Sequence, residues 1–151
     1  MISPHVSFTE ATKSNAAIRH GIDNTPNAEQ LKSMRYVAVE VFEKVREHFG
    51  KAIDVNSFFR HPDVNAVIGG SKSSQHCLGE AMDIDGDRTG VDNAEIFEFI
   101  KANILFDQLI WEFGDEEKPA WVHVSRKEEG NRRQVLMAYR DSSGSTKYKQ
   151  M

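Results

Sequence analysis

A histidine and an aspartate seven residues apart constrain this chain more than any other feature. His76 and Asp83 both occur in Ser-Gln-His-Cys-Leu-Gly-Glu-Ala-Met-Asp, which begins at Ser74. Seven residues of helix rise about 10 Å, whereas each ligand of a zinc ion must lie within about 2.2 Å of it. If both residues bind one ion, the chain has to bend between them. Gly79 is the residue whose conformational freedom allows that bend.

The residues that follow Gly79 alternate in polarity as a β-strand does. In residues 80 to 85, Asp83 lies on one face and apolar Met82 and Ile84 lie on the other. We therefore predict a strand that presents Asp83 on its polar face, and we expect a further ligand downstream.

The downstream candidate is His123. In residues 120 to 125, Trp121 and His123 fall on one side and apolar residues fall on the other, which predicts a second strand. Two histidines, one aspartate and an open fourth position are typical of a catalytic zinc site rather than a structural one. The sequence thus predicts one zinc ion per chain, bound by His76, Asp83 and His123.

The pattern Ser-x-His-x-x-Gly-x-Ala-x-Asp, followed by Trp-x-His on a later strand, resembles the zinc D-Ala-D-Ala peptidases of the M15 type. These enzymes share their fold with the hedgehog signalling domain. The resemblance implies that fold, a zinc cofactor and a peptide substrate from the bacterial cell wall.

The general base of the family is missing from its usual place. M15-type enzymes often carry a glutamate three residues before the last ligand, where this sequence has Ala120. The hedgehog-like and phage-type branches instead end the preceding strand with a glutamate, and Glu112 resembles that residue. The alternative is that Glu112 is a solvated strand residue.

The pairing of two strands would place Glu112 beside the metal. If residues 106 to 113 and 120 to 125 form a hairpin centred between residues 117 and 118, Glu112 lies directly opposite His123. Side chains paired in this way have Cβ atoms about 5 Å apart. We therefore predict that Glu112 is the catalytic base.

Four further residues are candidates for substrate binding. Arg60 resembles an arginine at a similar place in M15-type relatives, which holds the substrate's carboxylate or supports the peptide; a surface ion pair is the alternative. Ser74 and Gln75 can donate to the substrate or support the ligands. Trp121 forms a substrate wall or packs internally.

The whole chain predicts one α+β domain, residues 1–151, with helices packed on an antiparallel sheet. Residues 1–26 form an N-terminal segment with one short helix, and residues 141–151 form a loosely held tail. We predict helices at residues 8–12, 27–49, 62–68 and 92–103, and strands at residues 53–58, 80–85, 106–113, 120–125 and 134–139.

Charge and hydropathy exclude several partners. A net charge of -4 and scattered basic residues argue against nucleic acid. Apolar stretches are too short for a membrane span, and no secretory signal is recognisable. We expect a monomer that is cytoplasmic as synthesised and acts on the cell wall after release.

The leading functional hypothesis is a zinc peptidase of the kind that phages encode as endolysins. Alternatives are a non-catalytic zinc-binding module of a phage particle, a cytoplasmic D,D-dipeptidase, and a metal-dependent hydrolase for another substrate such as a phosphoester. The sequence leaves the scissile bond open among D-Ala-D-Ala, L-Ala-D-Glu and a cross-bridge.

Overall fold

The computed structural model describes residues 1–151, and its helices lie mainly on one face of a six-stranded sheet. The helices are α1 (Phe8–Thr12), α2 (Asn15–His20), α3 (Ala28–Val37), α4 (Glu43–Phe49), α5 (Pro62–Val67) and α6 (Asn93–Asn103). The strands are β1 (Asp54–Ser57), β2 (Ala81–Asp85), β3 (Gln108–Glu112), β4 (Trp121–Ser125), β5 (Gln134–Arg140) and β6 (Thr146–Gln150). A π-helical turn, Ala38–Phe42, joins α3 to α4 in one continuous helix.

The long helix α3–α4 begins and ends as its sequence predicts. Asn27 and Gln30 form a reciprocal capping box at its start, and Gly50 closes it in the left-handed conformation. Its apolar stripe faces the sheet, where Met34 and Val37 are fully buried. The prediction of a core-forming helix over residues 27–49 is confirmed.

The sheet has the strand order β1-β2-β4-β3-β5-β6 and is antiparallel except between β3 and β5. The α+β class is confirmed, but one parallel pair departs from the purely antiparallel sheet that we predicted. The last residue of β4 is paired with the first residue of β3. Because only residues 126–133 connect β4 to β5, strand β5 begins beside the start of β3 and runs in the same direction.

The two faces of the sheet differ in character. The helix-covered face carries the core, in which Met82, Ile84, Val122 and Val124 have no exposed surface. The opposite face carries the polar positions of the same strands and is partly open to solvent. The alternation predicted for β2 and β4 is therefore observed.

Both termini hold more regular structure than the sequence predicted. The N-terminal segment contains a second short helix, α2, whose start is capped by Ser14. In place of a loose tail, residues 141–151 include β6, which pairs with β5 from Arg140 to Leu136. Strand β6 has no buried residue, so it lacks the apolar alternation by which a strand is recognised.

None of the helices combines the length and apolar character that crossing a lipid bilayer requires.

Candidate metal centre

The chain bends sharply between the first two predicted ligands. A 3₁₀ turn, Gln75–Leu78, contains His76 and ends at Gly79, whose φ is 73°. A Cβ atom at Gly79 would lie 2.5 Å from the carbonyl oxygen of Gln30. Both the backbone conformation and the close approach of α3 therefore require glycine. This turn brings His76 back over Asp83.

Strand pairing supplies the third residue. Asp83 on β2 is directly opposite His123 on β4. The Asp83 Oδ1 atom lies 3.4 Å from His76 Nε2 and 3.0 Å from His123 Nδ1. Two ligands about 2.1 Å from one zinc ion at tetrahedral angles lie roughly 3.4 Å apart. The geometry and the donor set of these three residues fit a zinc ion.

Hydrogen bonding orients the first histidine. His76 Nδ1 lies 2.7 Å from the carbonyl oxygen of Phe58, which can only accept, so Nδ1–H donates and Nε2 is the nitrogen that faces Asp83. In His123, Nε2 is buried and has no hydrogen-bond partner within the protein. Because Nδ1 is the nitrogen of His123 that faces Asp83 and the metal position, Nε2 takes its partner from elsewhere, such as a water molecule.

The electrostatics keep the aspartate ionised. Burial raises the pKa of Asp83, but interactions with His76 and His123 outweigh burial and hold that pKa well below its ordinary value. An ionised carboxylate beside two imidazoles is the protonation state that metal binding needs.

Glu112 lies on the same face of the sheet as the three residues, but its register differs from the prediction. Glu112 pairs with Trp121, and Ile110 pairs with His123. The predicted position of Glu112 directly opposite His123 is therefore wrong by two residues. Glu112 is diagonal to His123, at a typical Cα separation of about 7 to 8 Å.

The connecting turn explains the shift. The Asp115 side chain accepts hydrogen bonds from the backbone N–H groups of Glu117 and Lys118, which centres the turn one residue earlier than predicted. Phe113 and Gly114 both adopt left-handed conformations, with φ of 56° and 69°. Because side chains alternate with a period of two, a two-residue shift keeps Glu112 on the predicted face.

Glu112 is not a solvated carboxylate. Only 8% of its surface is exposed. Burial, reinforced by the negative charge of Asp83, raises the pKa of Glu112 to about 7. A carboxyl group in this state can both accept and release a proton near neutral pH.

One open groove of about 810 Å³ runs over this face of the sheet. All eight predicted site residues line it: Arg60, Ser74, Gln75, His76, Asp83, Glu112, Trp121 and His123. The structure also places Arg132, Arg140 and Tyr148 there, none of which the sequence singled out.

Two predicted substrate residues have informative partners. Arg60 donates to the neutral side chain of Asn65 at 3.1 Å rather than to an acid, so it is not part of an ion pair. Gln75 donates from Nε2 to Asp107 at 2.6 Å, while its Oε1 atom is buried and has no partner. Arg60 therefore has a charge without an acidic partner in the groove, whereas the unused acceptor of Gln75 is enclosed by the protein.

Asp107 is a buried acidic residue that holds Gln75 and Arg132 in place, and no pattern in the sequence indicates it. Its fully buried side chain accepts hydrogen bonds from Gln75 and from Arg132, whose Nη2 lies 2.8 Å away. Although burial raises the pKa of Asp107, these hydrogen bonds hold it at about 2. Asp107 sits at the start of an apolar strand, and no spacing in the sequence connects it to either partner.

His76, Asp83 and His123 could hold a metal ion, and a buried carboxyl group lies in the same open groove, which is an arrangement typical of metallohydrolases. The model of one family, Peptidase M15, matches residues 4–125. The chain belongs to the Peptidase M15 family, which implies the hedgehog/DD-peptidase fold and agrees with the α+β architecture. A search of curated proteins finds no match. Strands β5 and β6 lie beyond the matched segment.

Proposed function

We propose that the protein is a zinc-dependent peptidase that hydrolyses amide bonds in bacterial peptidoglycan peptides, in the manner of a phage endolysin. The observation that carries the proposal is the position of Glu112. This buried carboxyl group lies diagonal to His123, in the same groove as the metal-binding group. A structural zinc site has no need of a free carboxyl group at that position.

His76, Asp83 and His123 would hold the zinc ion, as the fit of their donor atoms supports. Bound there, zinc would supply polarisation of a substrate carbonyl and acidification of a water molecule.

Glu112 acts as general base and then as general acid. It takes a proton from the attacking water and returns that proton to the amine that leaves. Its pKa of about 7 in the metal-free protein makes both protonation states accessible near neutrality. This role replaces the glutamate that many relatives carry where Ala120 stands.

The groove residues bind and orient the peptide. The Arg60 guanidinium, which has no acidic partner, binds a substrate carboxylate through two parallel hydrogen bonds. Gln75 supports the groove from the turn that carries His76, because its Nε2 donates to the buried Asp107. Ser74 lines the same groove, and the partly exposed Trp121 forms a wall of it.

Digestion of purified peptidoglycan tests the proposal. The protein is incubated with wall material as purified, after chelation, and after chelation followed by added zinc, and the released fragments are identified by mass spectrometry. We expect release that is lost on chelation and restored by zinc. The fragment masses distinguish cleavage of D-Ala-D-Ala, of L-Ala-D-Glu and of a cross-bridge.

Two alternative functions predict different results in the same experiment. Ala120, at the position of the usual base, favours a non-catalytic zinc-binding module. A protein that binds zinc but cleaves no wall chemistry would support that module. Cleavage of free D-Ala-D-Ala dipeptide without release from intact wall would support a cytoplasmic D,D-dipeptidase.

A further inference from the structure

A row of four residues crosses the sheet beside the metal centre. Glu112 on β3 is directly paired with Trp121 on β4 and with Ala138 on β5, and Ala138 is directly paired with Tyr148 on β6. Residues directly opposite one another project from the same face of a sheet. Tyr148 therefore projects from the face that carries Glu112.

The small side chain between them leaves room for an approach. Neighbouring strands are about 4.8 Å apart, so the backbones of Glu112 and Tyr148 are separated by roughly 10 Å. Ala138 fills that interval with only a methyl group and is fully buried. A tyrosine side chain can extend over such a residue toward the next strand.

The structure gives two signs that the phenol faces the site. Tyr148 lines the same groove as the metal-binding group, although 56% of its surface is exposed. Desolvation of the covered part of its ring, reinforced by the negative charges of Glu112 and Asp83, raises the pKa of Tyr148, so the hydroxyl remains a hydrogen-bond donor.

We propose that Tyr148 is a substrate-binding residue of the groove, an inference that rests on the proposed peptidase function. Its hydroxyl donates a hydrogen bond to a backbone carbonyl of the bound peptide, on the side of Glu112 away from Trp121. The residue comes from β6, beyond the segment that the family model matches.

Kinetics of Tyr148→Phe test the hydrogen bond, with Tyr139→Phe as the matched control. Tyr139 is on β5, next to Ala138 but on the other face, where its ring lies under the Lys149 ammonium at 5.7 Å. We expect Tyr148→Phe to lower kcat/KM on wall peptide about tenfold and Tyr139→Phe to change it by less than about twofold. Equal values for Tyr148→Phe and wild type would overturn the inference.

A readout independent of turnover uses the three tyrosines of the chain. Protein with ¹³C-labelled tyrosine rings and the Glu112→Gln substitution is titrated with a soluble pentapeptide ending in D-Ala-D-Ala. We expect the Tyr148 signal, assigned by its loss in Tyr148→Phe, to shift while those of Tyr36 and Tyr139 stay in place. An unmoved Tyr148 signal overturns the inference whatever the activity. A shifted signal with an inert wild type overturns the proposed catalysis alone.

Discussion

The centre of the sheet and its far edge contribute different things to the same groove. Strands β2 and β4 are central and carry Asp83 and His123, whereas β5 and β6 form one edge and contribute neither an acid nor a histidine. The edge supplies Ala138 and Tyr148 instead. The centre thus carries residues that could hold a metal ion, and the edge shapes the groove beside them.

Packing explains why the two regions can be separated. Met82, Ile84, Val122 and Val124 are fully buried against the helices, and each contributes about 1.5 to 3 kcal/mol. On the groove face, β5 contributes a small apolar cluster of Leu136 and Ala138 with Ile110, and every residue of β6 is exposed. Substitutions on β6 are therefore expected to alter the groove without disturbing the metal-binding group.

The largest effect is expected at the metal-binding group itself. His76→Ala and His123→Ala each remove one of three donors, so zinc affinity should fall by more than about 100-fold and hydrolysis should be lost. Metal analysis after dialysis against a defined zinc buffer measures the first effect.

His20→Ala is the control for this pair because His20 is exposed at the end of α2, away from the groove. It should retain full zinc. Full occupancy in either ligand variant would show that the centre of the sheet does not hold the metal.

The next effect is expected at Glu112, which separates metal binding from catalysis. Glu112→Gln keeps the size of the side chain but removes the proton acceptor, so hydrolysis should fall by about 10² to 10⁴ with zinc still bound. Glu117→Gln, on the exposed turn, should be as active as wild type. If the two variants cleave equally well, another carboxylate such as Asp115 or Glu116 serves as base.

Arg60 tests substrate binding from the side of the groove opposite the β6 edge. Arg60→Ala should lower kcat/KM by about 10- to 100-fold, the usual value of a charge-assisted pair of hydrogen bonds, without loss of zinc. Arg19→Ala, exposed on α2, is the control. Unchanged kinetics would leave Arg60 only its structural contact with Asn65.

Local spacing explains why the metal-binding group could be predicted from the sequence. His76 and Asp83 lie on either side of one glycine turn, and His123 lies on a strand whose alternation is clear. The register between Glu112 and His123 depended on the turn at Asp115, whose hydrogen bonds leave no periodic signal, and the prediction missed it by two residues.

The edge of the sheet was harder to predict for a physical reason. Strand β6 is held by backbone hydrogen bonds to β5 and buries no side chain, so the sequence carries no apolar alternation there. Tyr148 and Arg132 reach the groove only through tertiary placement. Long-range contacts of this kind follow from topology rather than from any local pattern.

The smallest effect is expected at Asp107, which connects the two regions through hydrogen bonds. Its carboxylate accepts one from Gln75, the neighbour of His76, and others from Arg132, which precedes β5. The pKa of Asp107 is about 2 in the fold and 3.8 ordinarily, so its stabilisation is present above pH 3.8 and is lost as the pH falls toward 2. Asp107→Asn should therefore lower the free energy of unfolding by at most about 2 kcal/mol near neutral pH, and the deficit should shrink in acid. Urea unfolding of the metal-free proteins across this pH range measures the free energy of unfolding, with exposed Glu129→Gln as the control.

Two outcomes would change this interpretation. A deficit that does not change with pH would assign the lost stability to packing. A large fall in zinc affinity would show that the edge of the sheet and the metal centre are coupled through Asp107.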